Sequence, residues 1–264
     1  MVPHVRILQK NTAAIRSDGE YVLYWMIATR RTRWNFAMDR AAEWAEELGK
    51  PLLVFEALRT DYRWASDRIH RFIIDGMRDN AAALRGSGIG YFPYVEPKKG
   101  AGKGLLRALA GRAAVVVTDE FPCFFLPEMV KAAARTLDVK LEAVDSNGLL
   151  PLAAADRAFN RAFDFRRFLQ RELPDHLTEF PRQSIRRGAA LPECSGVPDE
   201  VSRRWPAAST ATLAAGSGLE QLPIDHRVPP VVESGGYMAA QLALRRFLDR
   251  RLDRYGAERN DPDA

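Results

Sequence analysis

Cysteine and histidine are scarce in this 264-residue chain, which contains two cysteines and four histidines. Cys123 and Cys194 lie far apart and outside any CxxC motif, so a disulfide scaffold and a cysteine-ligated zinc site are both disfavoured. The histidines are scattered, and none has the close histidine partner that a metal site requires. His70, on a predicted helix, is best explained as a surface or hydrogen-bonded core residue. We predict no metal site and a reducing, cytoplasmic location.

Long hydrophobic runs are also missing. No segment reaches the ~18 apolar residues of a membrane helix, and the N-terminus lacks the apolar stretch of a secretion signal. Charge of one sign is only slightly in excess, with 39 Lys+Arg against 34 Asp+Glu and a formal net charge of +5. This excess permits contact with nucleic acid without demonstrating it. We predict no membrane partner and a monomeric protein.

The common phosphate-binding and nucleophile motifs are absent. Residues 28–31 read Ala-Thr-Arg-Arg where a GxGxxG motif would follow the first predicted strand, so binding of NAD or FAD in the Rossmann manner is not supported. Residues 100–104 resemble a P-loop, but Pro97 and Gly104 stand where a glycine and a Ser/Thr are needed, which indicates a helix start. No GxSxG or Cys-His signature occurs, so we assign no catalytic residue.

Short apolar runs alternate with helical patterns between residues 21 and 144. The strands are predicted over 21–27, 52–55, 90–95, 113–117 and 139–144. Pro93 weakens the third of these and indicates a place near an edge of the sheet. This alternation predicts an α/β fold, an open parallel five-stranded Rossmann-like sheet with helices on both faces.

The remaining chain suggests further segments. We predict an N-terminal extension over 1–20, an α/β domain over 21–151, a connector over 152–235 and the first helix of a further domain over 236–264. A helix over 158–173 carries a basic cluster, and 174–230 shows no periodicity. The terminal helix has an apolar stripe at helical spacing, which predicts that it packs against sequence further along. The stripe comprises Leu244, Phe247, Leu248, Leu252 and Tyr255.

A ligand site is expected where the parallel strands end, because open α/β sheets bind ligands at the carboxyl ends of their strands. Backbone groups and helix N-termini converge there. An alternative is that these positions are ordinary βα turns with capping carboxylates. A planar ligand could stack on Trp25, Trp34, Trp44 or Trp64, although core packing is the better explanation of these tryptophans. The candidate residues are Met26, Ile27, Ala28, Glu56, Asp119, Glu120, Phe121 and Asp145.

Several segments, taken in order, resemble one protein family. They are Tyr24-Trp-Met26 with Trp34-Asn-Phe-Ala37, the strand entry 49–55, Val116-Val-Thr-Asp-Glu-Phe-Pro122, Val144-Asp-Ser-Asn-Gly-Leu-Leu-Pro151, the connector segments 173–174 and 179–181, and the tail 252–262. This order resembles the photolyase/cryptochrome family, and most of all the class II cyclobutane-pyrimidine-dimer photolyases. The resemblance covers nearly the whole chain.

The resemblance implies an antenna chromophore, a deazaflavin or a folate, in the α/β domain and FAD in a C-terminal helical domain. Excited reduced flavin gives an electron to a pyrimidine dimer flipped out of DNA, and the protein supplies binding and orientation. Tyr255, Arg259 and Pro262 match the family's Tyr-x-x-x-Arg-x-x-Pro motif, which implies that Tyr255 contacts FAD and Arg259 contacts damaged DNA. The turn 27–30 departs from the Ser-Arg-Asp-Gln often seen in class II members, so the antenna stays unidentified.

Two groups of function follow. The leading hypothesis is the N-terminal portion of a DNA photolyase, a carbon-carbon lyase, with the flavin domain missing and the isolated chain inactive. The alternatives are a stand-alone nucleotide- or chromophore-binding α/β protein without catalysis, or a cryptochrome-like photosensor on the same fold.

Overall fold

The computed structural model describes residues 1–184, 191–214 and 218–261. Six strands form one sheet, and they are β1 (Ile7–Gln9), β2 (Tyr21–Met26), β3 (Leu52–Leu58), β4 (Gly90–Val95), β5 (Ala113–Glu120) and β6 (Leu141–Asp145). The helices of the described residues are α1 (Phe36–Leu48), α2 (Asp67–Leu84), α3 (Leu105–Ala110), α4 (Leu126–Thr136), α5 (Ala162–His176), α6 (Asp199–Arg204), α7 (Thr210–Leu213), α8 (Tyr237–Arg250) and α9 (Tyr255–Glu258).

The strands run in the order β1-β6-β5-β2-β3-β4. The five strands β2 to β6 pair in parallel, which confirms the predicted parallel sheet. The chain leaves the central strand β2 toward β3 and β4 and then crosses to β5 on the other side. The switch point, where open α/β sheets bind ligands, therefore lies between β2 and β5.

The sixth strand corrects the prediction. β1 pairs antiparallel with β6, with Ile7 opposite Val144, so the predicted extension 1–20 contributes an edge strand. Three residues are too few to produce a periodic signal in the sequence. The other edge is β4, which contains Pro93, as expected for a residue that cannot donate a ladder hydrogen bond.

Burial alternates along the central strand because successive side chains point to opposite faces. Tyr21, Leu23 and Trp25 belong to the core beneath α3 and α4, whereas Val22 and Tyr24 belong to the core beneath α1. All six residues of β2 are buried. The sheet is therefore covered on both faces, as its near-continuous apolar strands predict.

The region after residue 151 contains more structure than the sequence pattern indicated. The predicted helix 158–173 corresponds to α5, and α6 and α7 lie in the stretch expected to be featureless. Trp205 is 5% exposed and its indole donates a hydrogen bond to the Ala101 carbonyl at 2.8 Å. Part of the stretch predicted as a connector thus packs against the sheet core, while segments 185–190 and 215–217 lie outside the described residues.

Helix α8 is held at its N-terminal end by hydrogen bonds to α2, and its side chains are largely exposed along the rest of its length. The amides of Gly235 and Met238 donate to the carboxylates of Asp75 and Asp79 on α2, at 3.2 and 3.0 Å. No residue of α8 is buried. Leu244 and two further stripe residues, Leu248 and Leu252, are each 48% exposed. The described residues therefore leave the predicted apolar stripe uncovered, and Pro262 lies outside them.

None of the helices in the described ranges has the length and apolar character needed to cross a lipid bilayer.

Candidate ligand site at the carboxyl edge of the sheet

Asp119, at the end of β5, holds the loop that follows β2. Its Oδ2 accepts hydrogen bonds from the backbone amides of Ile27 at 2.8 Å, Ala28 at 2.7 Å and Thr29 at 3.1 Å. The residue is 1% exposed. Burial raises the pKa of the Asp119 carboxyl, and the amide donors offset part of this rise. Asp119 therefore fixes the loop at the switch point of the sheet.

A second layer of hydrogen bonds completes this arrangement. The Tyr24 hydroxyl donates to Asp119 Oδ1 at 2.8 Å and accepts from Asn35 Nδ2 at 2.9 Å. Asn35 also donates to the Thr29 carbonyl, and its Oδ1 accepts the Met38 amide as the N-cap of α1. Strand β2, its loop and the next helix are thus tied to one buried carboxylate.

Glu56 occupies the equivalent position in β3 and is 0% exposed. Arg30 Nη1 donates to its Oε1 at 3.0 Å, while Asn80 Nδ2 and the Tyr91 hydroxyl donate to its Oε2 at 2.9 and 2.7 Å. A buried carboxylate is tolerated here because both oxygens are paired. Glu56 therefore joins the β2 loop to α2 and β4.

Asp145 closes the end of β6 in the same way. Its oxygens accept the amides of Asn147 at 2.8 Å and Leu152 at 2.6 Å. Arg6 Nη1 lies 3.8 Å from Oδ2, and Arg6 Nη2 donates to the Leu149 carbonyl at 2.6 Å. The Arg6 guanidinium is wholly buried, and burial lowers its pKa. This pair fixes the path of the chain out of the sheet.

The predicted residues thus lie along one edge of the sheet, but most of them are enclosed. Met26 and Ile27 are buried, and the three carboxylates Glu56, Asp119 and Asp145 are committed to loop backbones and neighbouring side chains. This arrangement agrees with the alternative interpretation given above, in which these positions are ordinary βα turns organised by strand-end carboxylates. A direct contact between these residues and a ligand stays a prediction.

Two predicted residues are partly exposed. Glu120 and Phe121 line a cleft of about 250 Å³ between the start of the chain and α4. Lys10 Nζ lies 2.5 Å from Glu120 Oε2 at its mouth. The remaining lining residues include Val130 and Lys131.

A group of aromatic side chains lies at the same edge, and of its members the sequence analysis named Trp64 alone, as one of four tryptophans that could stack on a planar ligand. We call Tyr62, Trp64, Phe124 and Phe125 the aromatic edge cluster. Trp64 and Phe124 are 53% and 62% exposed, and their ring centroids lie 5.1 Å apart. Phe124 and Tyr62 both contact Phe125, at centroid distances of 5.7 and 5.8 Å. These rings come from the loops after β3 and β5, on either side of β2.

Arginines border the aromatic edge cluster. The guanidinium of Arg63 lies 5.5 Å from the Trp64 ring centroid, and that of Arg59 lies 5.7 Å from the Phe125 ring centroid. Phe124 has a φ of +69°, a backbone conformation that L-residues rarely adopt. Exposed rings next to an uncommon backbone conformation make this cluster a candidate binding surface. The cluster can stack on a planar anionic ligand.

The structure also shows where the other predicted aromatic residues and His70 lie. Trp25 and Trp44 pack in the core, whereas Trp34 and Trp64 are exposed. His70 is 0% exposed and its nitrogens lie 3.2 Å from the Ser66 carbonyl and 3.1 Å from the Arg59 carbonyl. It is therefore a hydrogen-bonded core histidine, one of the two roles expected of it. Burial lowers its pKa.

The two residues matched to the flavin and DNA motif lie far along the chain on α9 and its end. Tyr255 is 51% exposed, and its ring meets Phe247 edge-on at 5.6 Å. Arg259 is exposed, and its amide donates to the Tyr255 carbonyl. Among the described contacts, none joins Tyr255 or Arg259 to the aromatic edge cluster. Their roles toward FAD and DNA stay predictions.

The described ranges contain no cluster of three or more His, Cys, Asp and Glu residues that could hold a metal ion. Cys123 and Cys194 are both free thiols.

Curated proteins similar to this chain match nearly all of it, but they are about twice as long. No protein-family model matches the chain. A deoxyribodipyrimidine photo-lyase of Methanothermobacter thermautotrophicus is 30% identical over 267 residues, covering 99% of this chain and 54% of that protein. The Arabidopsis thaliana protein of the same name is 25% identical, covering 98% of this chain and 51% of that protein. The chain spans about half the length of the curated relatives it matches.

A solved structure supports the same fold. A bacterial class III photolyase from Agrobacterium tumefaciens superimposes with a TM-score of 0.58 and 15% identity, covering 88% of this chain and 45% of that protein. At this identity the match shows the shared fold alone. Together with the sequence matches, it fits an N-terminal portion rather than a complete relative. The sequence matches and the shared fold therefore fit an N-terminal fragment of a photolyase-family protein.

Proposed function

We propose that the chain forms the α/β part of a light-driven DNA-repair enzyme that splits cyclobutane pyrimidine dimers, with reduced FAD as the electron donor. The observation that carries this proposal is the match of 99% of the chain to a deoxyribodipyrimidine photo-lyase. The class II assignment within the family belongs to the proposal as well. Electron transfer would be the chemistry of the flavin, and the protein would supply binding and orientation.

The proposal gives α8 a specific role, which is to pack against a flavin-binding helical part. The stripe residues Leu244, Leu248 and Leu252 are each 48% exposed, so covering the remaining half of each side chain is worth roughly 1 kcal/mol. The Gly235–Met238 anchor on α2 fixes the direction in which the helix projects. Tyr255 would contact FAD and Arg259 would contact damaged DNA. One exposed ring does not form a flavin site, so no electron-transfer step is assigned to this chain's residues.

We further propose that an antenna chromophore of the deazaflavin or folate type would bind at the carboxyl edge of the sheet. The aromatic edge cluster fits such a group because Trp64 and Phe124 present exposed ring faces and Arg63 supplies positive charge. Asp119 and Glu56 would act indirectly, by holding the loops that carry the site. The damaged DNA partner and a cytoplasmic, monomeric state complete the proposal.

Repair can be measured directly with a two-part mixture. The chain is combined with the part of the Methanothermobacter relative that the match leaves uncovered, loaded with reduced FAD, and with oligo(dT) containing cyclobutane dimers. Splitting restores the pyrimidine double bonds, so absorbance at 260 nm rises. We expect a rise under near-UV or blue light only when both parts are present. A mixture whose parts do not associate and repair nothing under illumination would contradict the proposal.

A second function, chromophore binding without catalysis, is favoured by one observation, the strained and exposed Phe124 in the aromatic edge cluster. Titration of the chain alone with 8-hydroxy-5-deazaflavin or methenyltetrahydrofolate tests it. Tight binding by the chain, together with no repair in the two-part mixture, would support this second function over the first.

A further inference from the structure

Helix α5 and the loop before it present an unusual combination of arginine and phenylalanine to solvent. No residue of α5 is buried. Between residues 157 and 171 the only acidic residue is Asp164. We call this surface the arginine–phenylalanine face, and it comprises Arg157, Arg161, Arg166, Arg167 and Arg171 with Phe159, Phe163, Phe165 and Phe168.

The rings on this face form an ordered group. The Phe159 ring, from the preceding loop, lies 5.5 Å from the Phe165 ring and 5.0 Å from the Phe168 ring. Guanidinium groups sit beside the rings, with Arg157 5.6 Å from Phe159 and Arg171 5.7 Å from Phe168. A cleft of about 180 Å³ opens between them. Phe163, at 64% exposure, stands next to it beneath Arg167.

Most of the positive charge on this face is not neutralised locally. Arg171 pairs with Glu172 at 2.8 Å. Within the described part of the chain, no carboxylate lies at ion-pair distance from Arg161, Arg166 or Arg167. At 100° per residue, Phe163, Arg167, Arg171 and Phe168 fall within about 140° of the circumference of α5, so they share one side of the helix. Phe165 lies farther round. The face is therefore suited to an elongated polyanion that also carries aromatic groups.

We infer that the arginine–phenylalanine face binds single-stranded nucleic acid. Arginine guanidinium groups pair with phosphates in bidentate geometry, and exposed Phe rings stack on unpaired bases. A duplex would leave Phe163 without a partner because its bases are stacked on each other. An apolar protein surface would desolvate the arginines without pairing them, which is costly. This binding needs no flavin, light or damaged base, and so goes beyond the proposed function.

Fluorescence anisotropy in darkness tests the inference, with fluorescein-labelled, undamaged dT12, rU12 and a 12-base-pair duplex over a NaCl series. The variant R166Q/R167Q/R171Q removes three charges from α5. Its matched control, K98Q/K99Q/K103Q, removes three charges from the exposed loop before α3. Each lost phosphate contact on a single strand lowers the salt slope by about 0.7, so the α5 variant should lose about 2. The control should retain the slope of the wild-type protein.

A second variant separates stacking from charge. F163A should weaken dT12 binding about tenfold while leaving the salt slope unchanged, because it removes a ring and no charge. The ring is exposed, so the variant is expected to fold normally, which circular dichroism verifies. Comparable affinities for dT12 and rU12, both tighter than for the duplex, would support the inference and show that the sugar is not read.

Several results would overturn it. These are no binding of either single strand, an equal loss in the α5 variant and the lysine control, or duplex binding as tight as single-strand binding with no effect of F163A. Sedimentation velocity tests the competing explanation, that this face is a protein–protein interface. If the α5 variant dissociates a protein dimer and leaves nucleic-acid affinity unchanged, the face is a protein interface. A failed photorepair assay would not affect any of these readouts.

Discussion

The Tyr24 hydroxyl donates a 2.8 Å hydrogen bond to Asp119 Oδ1 between two neighbouring parallel strands, with both side chains shielded from solvent. Asp119 uses its other oxygen to hold the amides of residues 27–29. The pair therefore determines the shape of the loop at the switch point of the sheet. Any ligand bound at this edge would depend on it indirectly.

We expect Tyr24→Phe to destabilise the protein by about 1–3 kcal/mol, because it leaves a buried Asp119 oxygen without its hydroxyl donor. Chemical denaturation measures the change. Tyr21→Phe is the matched control, since the Tyr21 hydroxyl makes one hydrogen bond, to the Leu109 carbonyl. Its cost should be smaller, about 1 kcal/mol. Equal costs for the two variants would show that the Asp119 network adds nothing.

Asp39 predicts a pH dependence of stability. It accepts the Arg182 amide at 2.7 Å, and burial raises its pKa from the ordinary value of 3.8 to about 6. The folded state then binds a proton more tightly than the unfolded state between these values. The free energy of unfolding should therefore fall as pH rises from about 4 to 6, by up to about 3 kcal/mol.

Unfolding free energies at pH 4, 5, 6 and 7 test this expectation. Asp39→Asn keeps an oxygen for the Arg182 amide and cannot ionise, so its stability should fall less than that of the wild-type protein through this window. Any remaining fall would come from other buried carboxyls such as Asp119, whose pKa burial also raises. The exposed residue Asp18 provides the control, and Asp18→Asn should keep the wild-type pH profile. A wild-type protein with the same profile as Asp39→Asn would show that the pKa of Asp39 is not raised.

The Gly235 contact predicts how α8 is held. A Cβ at this position would lie 1.9 Å from the Phe72 carbonyl oxygen, so Gly235→Ala must displace the chain from α2. We expect hydrogen-exchange protection in α8 to fall while that of the sheet is unchanged. Gly256→Ala is the control, because a Cβ at that position meets nothing within 4 Å. Unchanged protection of α8 in Gly235→Ala would mean that the glycine contact does not anchor it.

Phe124 separates stability from binding. Because its φ is +69°, Phe124→Gly should leave the protein as stable or up to about 1 kcal/mol more stable. The same change removes an exposed ring from the aromatic edge cluster and should weaken deazaflavin or folate binding. Thermal unfolding and a chromophore titration measure the two effects. A loss of stability together with undiminished binding would contradict the assigned role.

Much of the sheet could be predicted from the sequence because buried parallel strands appear as short apolar runs, as in β2 and β5. The strand β1 was missed because three residues at an edge leave no periodic pattern. The helices α6 and α7 were missed for the same reason, since neither completes two turns. Their burial depends on contacts such as Trp205 with Ala101, which are distant in sequence.

The location of the candidate site could be predicted from the sequence, but only some of the residues that form it could. The switch-point rule directed attention to Asp119 and Glu56, which do lie at this edge. Their buried hydrogen-bond partners could not be read from local spacing, because Tyr24 and Asn80 come from other elements. The aromatic edge cluster escaped notice because Trp64 and Phe124 meet only after the sheet has formed. An aromatic pair in each of two strand-end loops was the available signal.

The most direct test of the account is the rate of light-dependent dimer repair in the two-part mixture, measured at 260 nm for three forms of this chain. The wild-type chain and R246N/R250N, whose changes lie away from the stripe, should support repair. L244D/L248D changes the net charge equally but disrupts the stripe, and its rate should fall at least tenfold at subsaturating concentration. No light-dependent signal from the wild-type mixture, or equal rates for all three chains, would contradict the account.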